Sequence, residues 1–259
     1  MGFEEKVCVI TGGALGIGGC LARGFAAAGA KVAFIDINRA AGIENAGRIS
    51  GLGGDAFFFH GDVGLEEDLT RFADFVTEKF GGVDILINNA CLSRKGLLTG
   101  CGYDDFDYVL RVGVLAPYML TKLFMPRFLP GASVLNISST RAFMSQRDTE
   151  SYSAAKGGIS ALTHAMAASL AGKVRVNAIA PGWIDTGAYQ KEGSVSRHSD
   201  ADKAQHTSGR VGEPEDILRA AMFLCSKENS FINGQCLSVD GGMTKLMIYT
   251  DDYGWKYNV

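Results

Sequence analysis

The sequence lacks the features that mark membrane-spanning, nucleic-acid-binding and secreted proteins. No apolar run reaches the roughly 18 residues that a transmembrane helix needs. The 25 Lys and Arg residues are balanced by 28 Asp and Glu and form no basic run, so we expect neither nucleic acid nor a membrane surface as a partner. The chain begins with acidic residues and a strand-like run, which is unlike a secretory signal.

Cysteine and histidine are scattered rather than grouped. The six cysteines form no C-x-x-C pair, and the four histidines show no ligand spacing with them. We therefore expect neither a disulfide framework nor a metal site. Most of the cysteines lie in apolar context, which is typical of buried, reduced thiols in a cytoplasmic protein.

What the chain has is a regular alternation of short strand-like and longer helical patterns. Its 259 residues, 47% of them hydrophobic, can bury one sizeable core. The patterns predict strands at 6–10, 31–36, 55–63, 83–90, 132–139, 173–181 and 235–242, with helices near 16–30, 38–50, 65–80, 103–129, 151–171 and 213–226. Apolar strands separated by helices imply a parallel sheet covered on both faces, hence a single-domain, doubly wound α/β fold.

Two segments interrupt this alternation. Residues 185–210 are polar and weakly periodic, which inside a compact domain is typical of a substrate lid or a disordered insert. Residues 244–259 follow the last predicted strand and contain four aromatic side chains. We expect this aromatic tail to dock rather than to fray.

A glycine-rich turn, TGGALGIG at residues 11–18, lies between the first predicted strand and the first helix. Glycine allows a tight turn and a close approach of a dinucleotide to the backbone, and the helix offers its free N–H groups to a pyrophosphate. A glycine-rich turn alone is a weak signal, because many are plain turns. Here the flanking strand and helix are where a Rossmann-type dinucleotide site requires them.

Asp36 ends the second predicted strand, at the position of the acidic residue that holds the adenosine ribose in such sites. Its carboxylate would repel a 2′-phosphate, and Leu15 and Ile37 offer no compensating positive charge. The sequence therefore favours NAD over NADP. Arg39 could contact a 2′-phosphate, although an exposed role at the start of a helix is the alternative.

Tyr152 and Lys156 are four residues apart in the sequence SYSAAK. On a helix this spacing places both side chains on one face. A nearby ammonium favours the phenolate form of a tyrosine, so the pair could act as a general acid/base. By itself the spacing is also common on plain helix surfaces.

Taken together, these motifs resemble those of the short-chain dehydrogenases/reductases over almost the whole chain. The ordered motifs are TGGALGIG at 11–18, GDV at 61–63, NNA at 88–90, NISS at 136–139, YSAAK at 152–156, NAIAPGWIDT at 177–186 and SVDGG at 238–242. The resemblance implies that Ser139, rather than Ser138, bonds the substrate oxygen and that Tyr152 transfers the proton. Lys156 would bind the nicotinamide ribose and tune Tyr152.

The resemblance also implies the cofactor contacts. Asp62 and Val63 would flank the adenine, Asn89 would line the groove, and the backbone of Ile184 with the Thr186 hydroxyl would hold the carboxamide. The full expected cofactor set is Gly12, Leu15, Gly16, Ile17, Gly18, Asp36, Asp62, Val63, Asn89, Tyr152, Lys156, Pro181, Gly182, Ile184 and Thr186.

Two positions depart from the family pattern. Cys91 stands where NNAG usually has its glycine, and Gly113 stands where a catalytic asparagine usually completes a tetrad. Pro117 has no N–H and crowds the carbonyl four residues back, which is that of Gly113. We therefore predict a kinked helix whose Gly113 carbonyl is free to hold a water that leads to Lys156. The alternatives are that the two residues only relieve packing, or that activity is weak or lost.

The predicted activity is hydride transfer between NAD(H) and a secondary alcohol or its ketone. Arg94 and Arg141 are candidate contacts for an anionic substrate, with plain surface charge as the alternative. A homodimer or homotetramer formed through the helices at 103–129 and 151–171 is implied by the resemblance. The competing hypotheses are an NADP-linked oxoacyl reductase and a non-catalytic NAD-binding scaffold.

Overall fold

The computed structural model describes residues 2–190 and 196–247. In these residues seven parallel strands form one sheet in the order β3-β2-β1-β4-β5-β6-β7. The strands are β1 Val7–Thr11, β2 Lys31–Asp36, β3 Asp55–His60, β4 Val83–Asn88, β5 Phe128–Ile137, β6 Arg175–Pro181 and β7 Cys236–Val239. The strand order reverses between β1 and β4, and in open α/β sheets this switch point is where ligands bind.

Helices cover both faces of the sheet, as the sequence predicts. They are α1 Gly16–Ala27, α2 Arg39–Gly51, α3 Glu66–Phe80, α4 Tyr103–Leu110, α5 Ala116–Phe124, α6 Glu150–Ser169, α7 Asp200–Ala204 and α8 Pro214–Cys225. The cluster under α1, α2 and α8 contains Phe25 and Phe34, and the cluster under α3, α5 and α6 contains Phe72 and Phe124. The single-domain Rossmann-type fold is therefore confirmed.

Several predicted boundaries differ from the structure by a few residues, and the largest difference lies between the fourth helical segment and β5. The helix expected over 103–129 ends at Phe124, and β5 begins at Phe128 rather than near residue 132. Phe128 pairs with Val83, and the ladder shifts register before Ile85 pairs with Ser133. The shift coincides with Pro130, which cannot donate to a ladder, and with Gly131 at a φ of +84°.

The helix predicted at 103–129 is also irregular at its centre. Residues Arg111–Leu115 form a π-helical turn, in which the Ala116 N–H donates to the Arg111 carbonyl five residues earlier. Pro117 follows at once and has no N–H to offer the Gly113 carbonyl. The helix therefore widens to a π-helical turn next to the position where a backbone hydrogen-bond donor is missing.

The polar segment 185–210 is ordered where the structure describes it. It contains α7 and is anchored by the Thr207 hydroxyl, which donates to the Gly241 carbonyl at 3.0 Å. His198 Nε2 lies 3.0 Å from Asp185 Oδ2 at the other end. Most of the aromatic tail, residues 248–259, lies outside the described residues, so its docking stays a prediction.

Candidate active site

The glycine-rich turn lies at the switch point, between the end of β1 and the start of α1. Gly16 has a φ of +57°, in the left-handed region that favours glycine, and a Cβ on Gly18 would collide with the carbonyl oxygen of Gly12. The first turn of α1 has no acidic residue, and Leu15 gives it no side-chain cap. The N–H groups there remain available to a phosphate.

Thr11 joins this turn to the end of β4 and was missed by the sequence reasoning. Its hydroxyl accepts the N–H groups of Asn89 and Ala90, both at 3.0 Å. The Asn89 amide in turn donates to the carbonyls of Thr11 and Gly12, at 3.0 and 3.1 Å. The Asn89 side chain therefore holds the glycine turn in place and also lines the groove.

Asp36 is held at the end of β2 by two backbone hydrogen bonds. Its Oδ2 accepts the Ala14 N–H at 3.0 Å, and its Oδ1 accepts the Asn38 N–H at 2.8 Å. The side chain is half-buried and lines the same groove as the glycine turn. The bonds aim the carboxylate at the groove while leaving its remaining lone pairs for a ligand.

Asp62 is positioned by a tyrosine from the helix opposite. The Tyr108 hydroxyl donates to Asp62 Oδ2 at 2.8 Å, and burial together with this bond raises the pKa of Tyr108 to about 12. Arg94 stacks on the Tyr108 ring, 4.1 Å from its centroid. Nothing in the local sequence pairs residues 62 and 108, so this contact was also missed.

The resulting groove has a volume of about 600 Å³ and fits an extended dinucleotide. Its lining residues include Gly12, Leu15, Ile17, Gly18, Asp36, Asp62, Val63, Asn89 and Thr186. These are nine of the residues expected to bind the cofactor. Gly16 forms the turn beside Thr186.

Tyr152 and Lys156 lie on one face of α6, next to a small cavity that shares Ile17, Asn89 and Cys91 with the groove. The Lys156 ammonium is 5.4 Å from the centroid of the Tyr152 ring and donates to the Ile137 carbonyl at 2.7 Å. Lys156 is only 4% exposed, so its ammonium is shielded from bulk solvent. A small cavity of about 190 Å³ adjoins both side chains and is also lined by Ser139, Pro181, Gly182 and Ile184.

The two adjacent serines, Ser138 and Ser139, make different contacts. The Ser138 hydroxyl is buried, donates to the Lys156 carbonyl at 3.0 Å and lies 2.7 Å from the Ser160 hydroxyl. The Ser139 hydroxyl accepts the Arg141 N–H at 3.1 Å and lines both cavities that Tyr152 lines. Ser139 is therefore available to a substrate, whereas Ser138 ties β5 to α6.

Exchanging each serine for alanine should separate these roles. Ser139→Ala should lower kcat/KM about 10²-fold, because it removes a donor to the reacting oxygen. Ser138→Ala should mainly lower the melting temperature, since it removes one buried hydrogen-bonded group, worth about 1 kcal/mol. Steady-state kinetics and thermal unfolding of both variants check this. A larger kinetic loss in Ser138→Ala than in Ser139→Ala would contradict the assignment.

A large cavity of about 980 Å³ opens on the other side of Tyr152 and Ser139. Its walls come from segments far apart in sequence, including Trp183 after β6, Gln205 after α7 and Met243 after β7. Trp183 is braced by His198 and His206, with ring centroids 5.6 and 6.0 Å away. The mixture of apolar and polar walls suits an amphipathic small molecule.

The two candidate substrate arginines lie in different places. Arg141 lines the large cavity, and the side-chain partner that the structure gives it is the Gln146 amide oxygen at 2.5 Å. Arg94 instead lines the cofactor groove, where Asp105 balances its charge at 3.0 Å. The structure thus places Arg94 on the wall of the groove, beside Tyr108, and not on the wall of the large cavity.

Within the described residues 2–190 and 196–247, no three His, Cys, Asp or Glu side chains are grouped so that they could hold a metal ion. No helix in this part of the chain is long and apolar enough to cross a membrane.

Comparison with known proteins decides the family. Residues 12–244 match the family described as enoyl-(acyl carrier protein) reductase. An uncharacterized oxidoreductase of Thermotoga maritima is 40% identical over 256 residues, covering 96% of this chain and 100% of the relative. The chain belongs to the short-chain dehydrogenase/reductase family. It is an oxidoreductase of that family, with the nucleotide-binding fold the family shares.

Solved structures of other short-chain dehydrogenases/reductases have the same fold as this chain. The apo SCOR enzyme of Clostridium thermocellum is 42% identical, with a TM-score of 0.87 over 98% of this chain and 99% of that one. A 7α-hydroxysteroid dehydrogenase complexed with NADH and 7-oxo glycochenodeoxycholic acid is 36% identical, with a TM-score of 0.83 over 93% of this chain and 95% of that one. This chain is therefore similar to a protein that binds a nicotinamide dinucleotide and a large carboxylate-bearing ketone.

Proposed function

We propose that the protein transfers hydride between NAD(H) and a secondary alcohol or its ketone, with Tyr152 as general acid/base. The observation that carries the proposal is the position of Tyr152. It lies beside Lys156 and Ser139 in the small cavity, which adjoins the large cavity at Tyr152 and Ser139. The small cavity also shares Ile17, Asn89 and Cys91 with the dinucleotide groove. A substrate entering through the large cavity would meet the cofactor at this junction.

Each side chain has a defined part in the proposed reaction. When bound, the nicotinamide would supply the hydride acceptor for oxidation at the carbinol carbon and the hydride donor for the reverse reduction. The Tyr152 oxygen takes the hydroxyl proton as the alcohol is oxidised and gives it back as the ketone is reduced. The Lys156 ammonium stabilises the phenolate, and the Ser139 hydroxyl donates to the substrate oxygen on which negative charge develops.

NAD is the proposed cofactor because the groove offers a carboxylate at the ribose position. Asp36 can accept hydrogen bonds from ribose hydroxyls but would repel a 2′-phosphate. Arg39 is exposed and is not among the residues lining the groove. The same reasoning speaks against the NADP-linked reductase alternative.

Gly113 is the proposed substitute for the missing asparagine of the family. The π-helical turn at Arg111–Leu115 supports the proposal, since Ala116 donates to Arg111 and Pro117 donates to nothing. The Gly113 carbonyl thus lacks its usual helical donor. A water held by this oxygen would connect it to Lys156, and that water stays a prediction.

The substrate class we propose is an amphipathic molecule with an anionic group. In the described residues, Arg141 lines the cavity without a carboxylate within ion-pair distance, whereas Arg94 has one. The carboxylate-bearing ketone in the 7α-hydroxysteroid dehydrogenase complex is consistent with this class. Arg141 would bind the anionic end while Ser139 and Tyr152 hold the reacting oxygen.

Arg141→Ala should raise KM about tenfold for a carboxylate-bearing substrate, because a charge-assisted hydrogen bond is lost. KM for an uncharged substrate of the same skeleton should stay within about twofold, as few contacts change. Arg147→Ala is the matched control, since Arg147 is exposed and absent from the cavity wall. Equal effects on the charged and uncharged substrates would contradict the role of Arg141.

We also propose that the protein is a cytoplasmic homodimer or homotetramer. Leu115, Tyr118 and Met125 are 49%, 45% and 57% exposed on the α4–α5 surface, which suits burial against a second copy. Scattered, reduced cysteines favour the cytoplasm.

The test of the proposed function is a substrate screen with both cofactors. Secondary alcohols with and without a carboxylate are mixed with NAD⁺ or NADP⁺, and reduced cofactor is followed by its absorbance. Turnover with NAD⁺ supports the proposal. Tight NADH binding without turnover of any alcohol or ketone would favour the non-catalytic scaffold.

A further inference from the structure

The π-helical turn packs against α6 so closely that residue 113 has no room for a side chain. A Cβ built on Gly113 would lie 2.8 Å from the Ala155 Cβ and 3.2 Å from the Cys91 sulfur. The first separation is shorter than real Cβ contacts, so any side chain at this position would force a neighbour to move. An asparagine at 113 therefore does not fit the chain as it stands.

This close contact involves the turn of α6 that carries Tyr152 and Lys156. Ala155 is fully buried, follows Tyr152 by three residues and precedes Lys156. One turn further along, a Cβ on Gly158 would lie 3.1 Å from a methyl group of Val114. The π-helical turn thus touches α6 on both sides of Lys156, and its distance from α6 sets where Tyr152 and Lys156 lie.

Cys91 is the third member of this contact. It follows β4 and lines both the cofactor groove and the small cavity next to Tyr152 and Lys156. Its sulfur lies beside Gly113, in the space that the first atoms of a longer side chain at 113 would enter. The two departures from the family pattern are therefore neighbours, although 22 positions separate them in the sequence.

We propose that Cys91 is a positioning residue and that Cys91 and Gly113 form one coupled replacement of the glycine and asparagine usual in the family. A side chain at 113 would press on both Ala155 and the thiol, and the thiol supports the π-helical turn against α6. The expected effect of this coupling on catalysis rests on the proposed function, whereas the expected effects on packing and cofactor binding do not. Inserting the family asparagine alone should therefore impair this protein.

A double-mutant cycle tests the coupling. The variants are Gly113→Asn, Cys91→Gly and the double mutant, with Cys91→Ser as a control that keeps the size of the side chain. Cys101→Ser is a control at a thiol outside the three cavities of the site. For each we would measure the melting temperature, the Kd of NADH and the pH dependence of kcat.

Gly113→Asn should lower the melting temperature by roughly 3–10 °C, because overpacking destabilises a core. Because Lys156 is displaced, the Kd of NADH should rise and kcat should fall, each about tenfold. For the same reason, the acid limb of the pH–rate profile for alcohol oxidation should move to higher pH. In the double mutant, the space left by the thiol lets residue 113 shift away from Ala155. Most of each loss should then be recovered. Paired with Gly113→Asn, Cys91→Ser should recover little of the loss, because it keeps a side chain in that space, whereas Cys101→Ser should resemble wild type.

Strictly additive effects of the two single variants would overturn the coupling. If only the changes in melting temperature are non-additive, while the Kd of NADH and the pH profile stay unchanged, the two residues have a packing role only. That result would overturn the positioning role. If wild type shows no turnover while melting temperature and NADH affinity are coupled, the proposed function fails and the positioning of the cofactor site stands.

Discussion

Tyr152→Phe is expected to lower kcat by about 10²–10⁴-fold, the range for loss of a general acid/base. Phenylalanine keeps the ring that lies 5.4 Å from the Lys156 ammonium but has no oxygen to exchange a proton with the substrate. The Kd of NADH should rise no more than about fivefold, because at most one hydrogen bond of about 1 kcal/mol is lost and the groove residues around Asp36 and Asn89 are unchanged. Stopped-flow turnover and NADH fluorescence titration together check both halves of the prediction.

Tyr103→Phe is the matched control for this variant. Tyr103 is 86% exposed at the start of α4 and lies in none of the three cavities of the site. Its kcat should equal that of wild type. A Tyr152→Phe protein that keeps more than about a tenth of wild-type kcat would show that another group moves the proton.

Asp36→Ala is expected to lower the preference for NADH over NADPH by about 10–10²-fold. The carboxylate gives ribose hydroxyls a charge-assisted hydrogen bond, worth about 1.5–3 kcal/mol, and repels a 2′-phosphate at the same position. Removing it weakens NADH binding and relieves the repulsion. Isothermal titration of wild type and variant with both cofactors measures the change in the ratio of the two Kd values.

Two controls complete the cofactor test. Asp36→Asn should fall between wild type and Asp36→Ala, since an amide oxygen can still accept the Ala14 N–H but carries no charge. Arg39→Ala should leave the affinity for NADPH unchanged, because Arg39 is exposed beyond the end of β2. Equal wild-type affinities for NADH and NADPH would contradict the assigned role of Asp36.

The fold and the parts of the site that are local in sequence could be predicted well. The glycine turn, Asp36 at a strand end and the four-residue spacing of Tyr152 and Lys156 depend on geometry within one or two elements. Their positions follow from strand and helix periodicity together with the switch point of the sheet. The choice of Ser139 came from resemblance, and the contacts of Ser138 with Lys156 and Ser160 explain it physically.

Contacts that depend on tertiary packing could not be predicted. Thr11 bonds residues 78 and 79 positions away, and Tyr108 reaches Asp62 across 46 positions. The sequence could not distinguish Arg94 from Arg141 either, since their surroundings depend on how α4 and the loop after β5 fold. A proline at 117 predicts a disturbed helix, but the π-helical form of the disturbance depends on packing against α6.

Transfer of an isotopically labelled hydride tests the central claim most directly. Carboxylate-bearing secondary alcohols with deuterium on the carbinol carbon are incubated with the protein and NAD⁺, and the reduced cofactor is analysed by mass spectrometry. We predict one deuterium per reduced nicotinamide, and at least about 100-fold less labelled cofactor from the Tyr152→Phe protein over the same time. Reduced cofactor without deuterium, or no reduced cofactor from any alcohol tested, would contradict direct hydride transfer at this site.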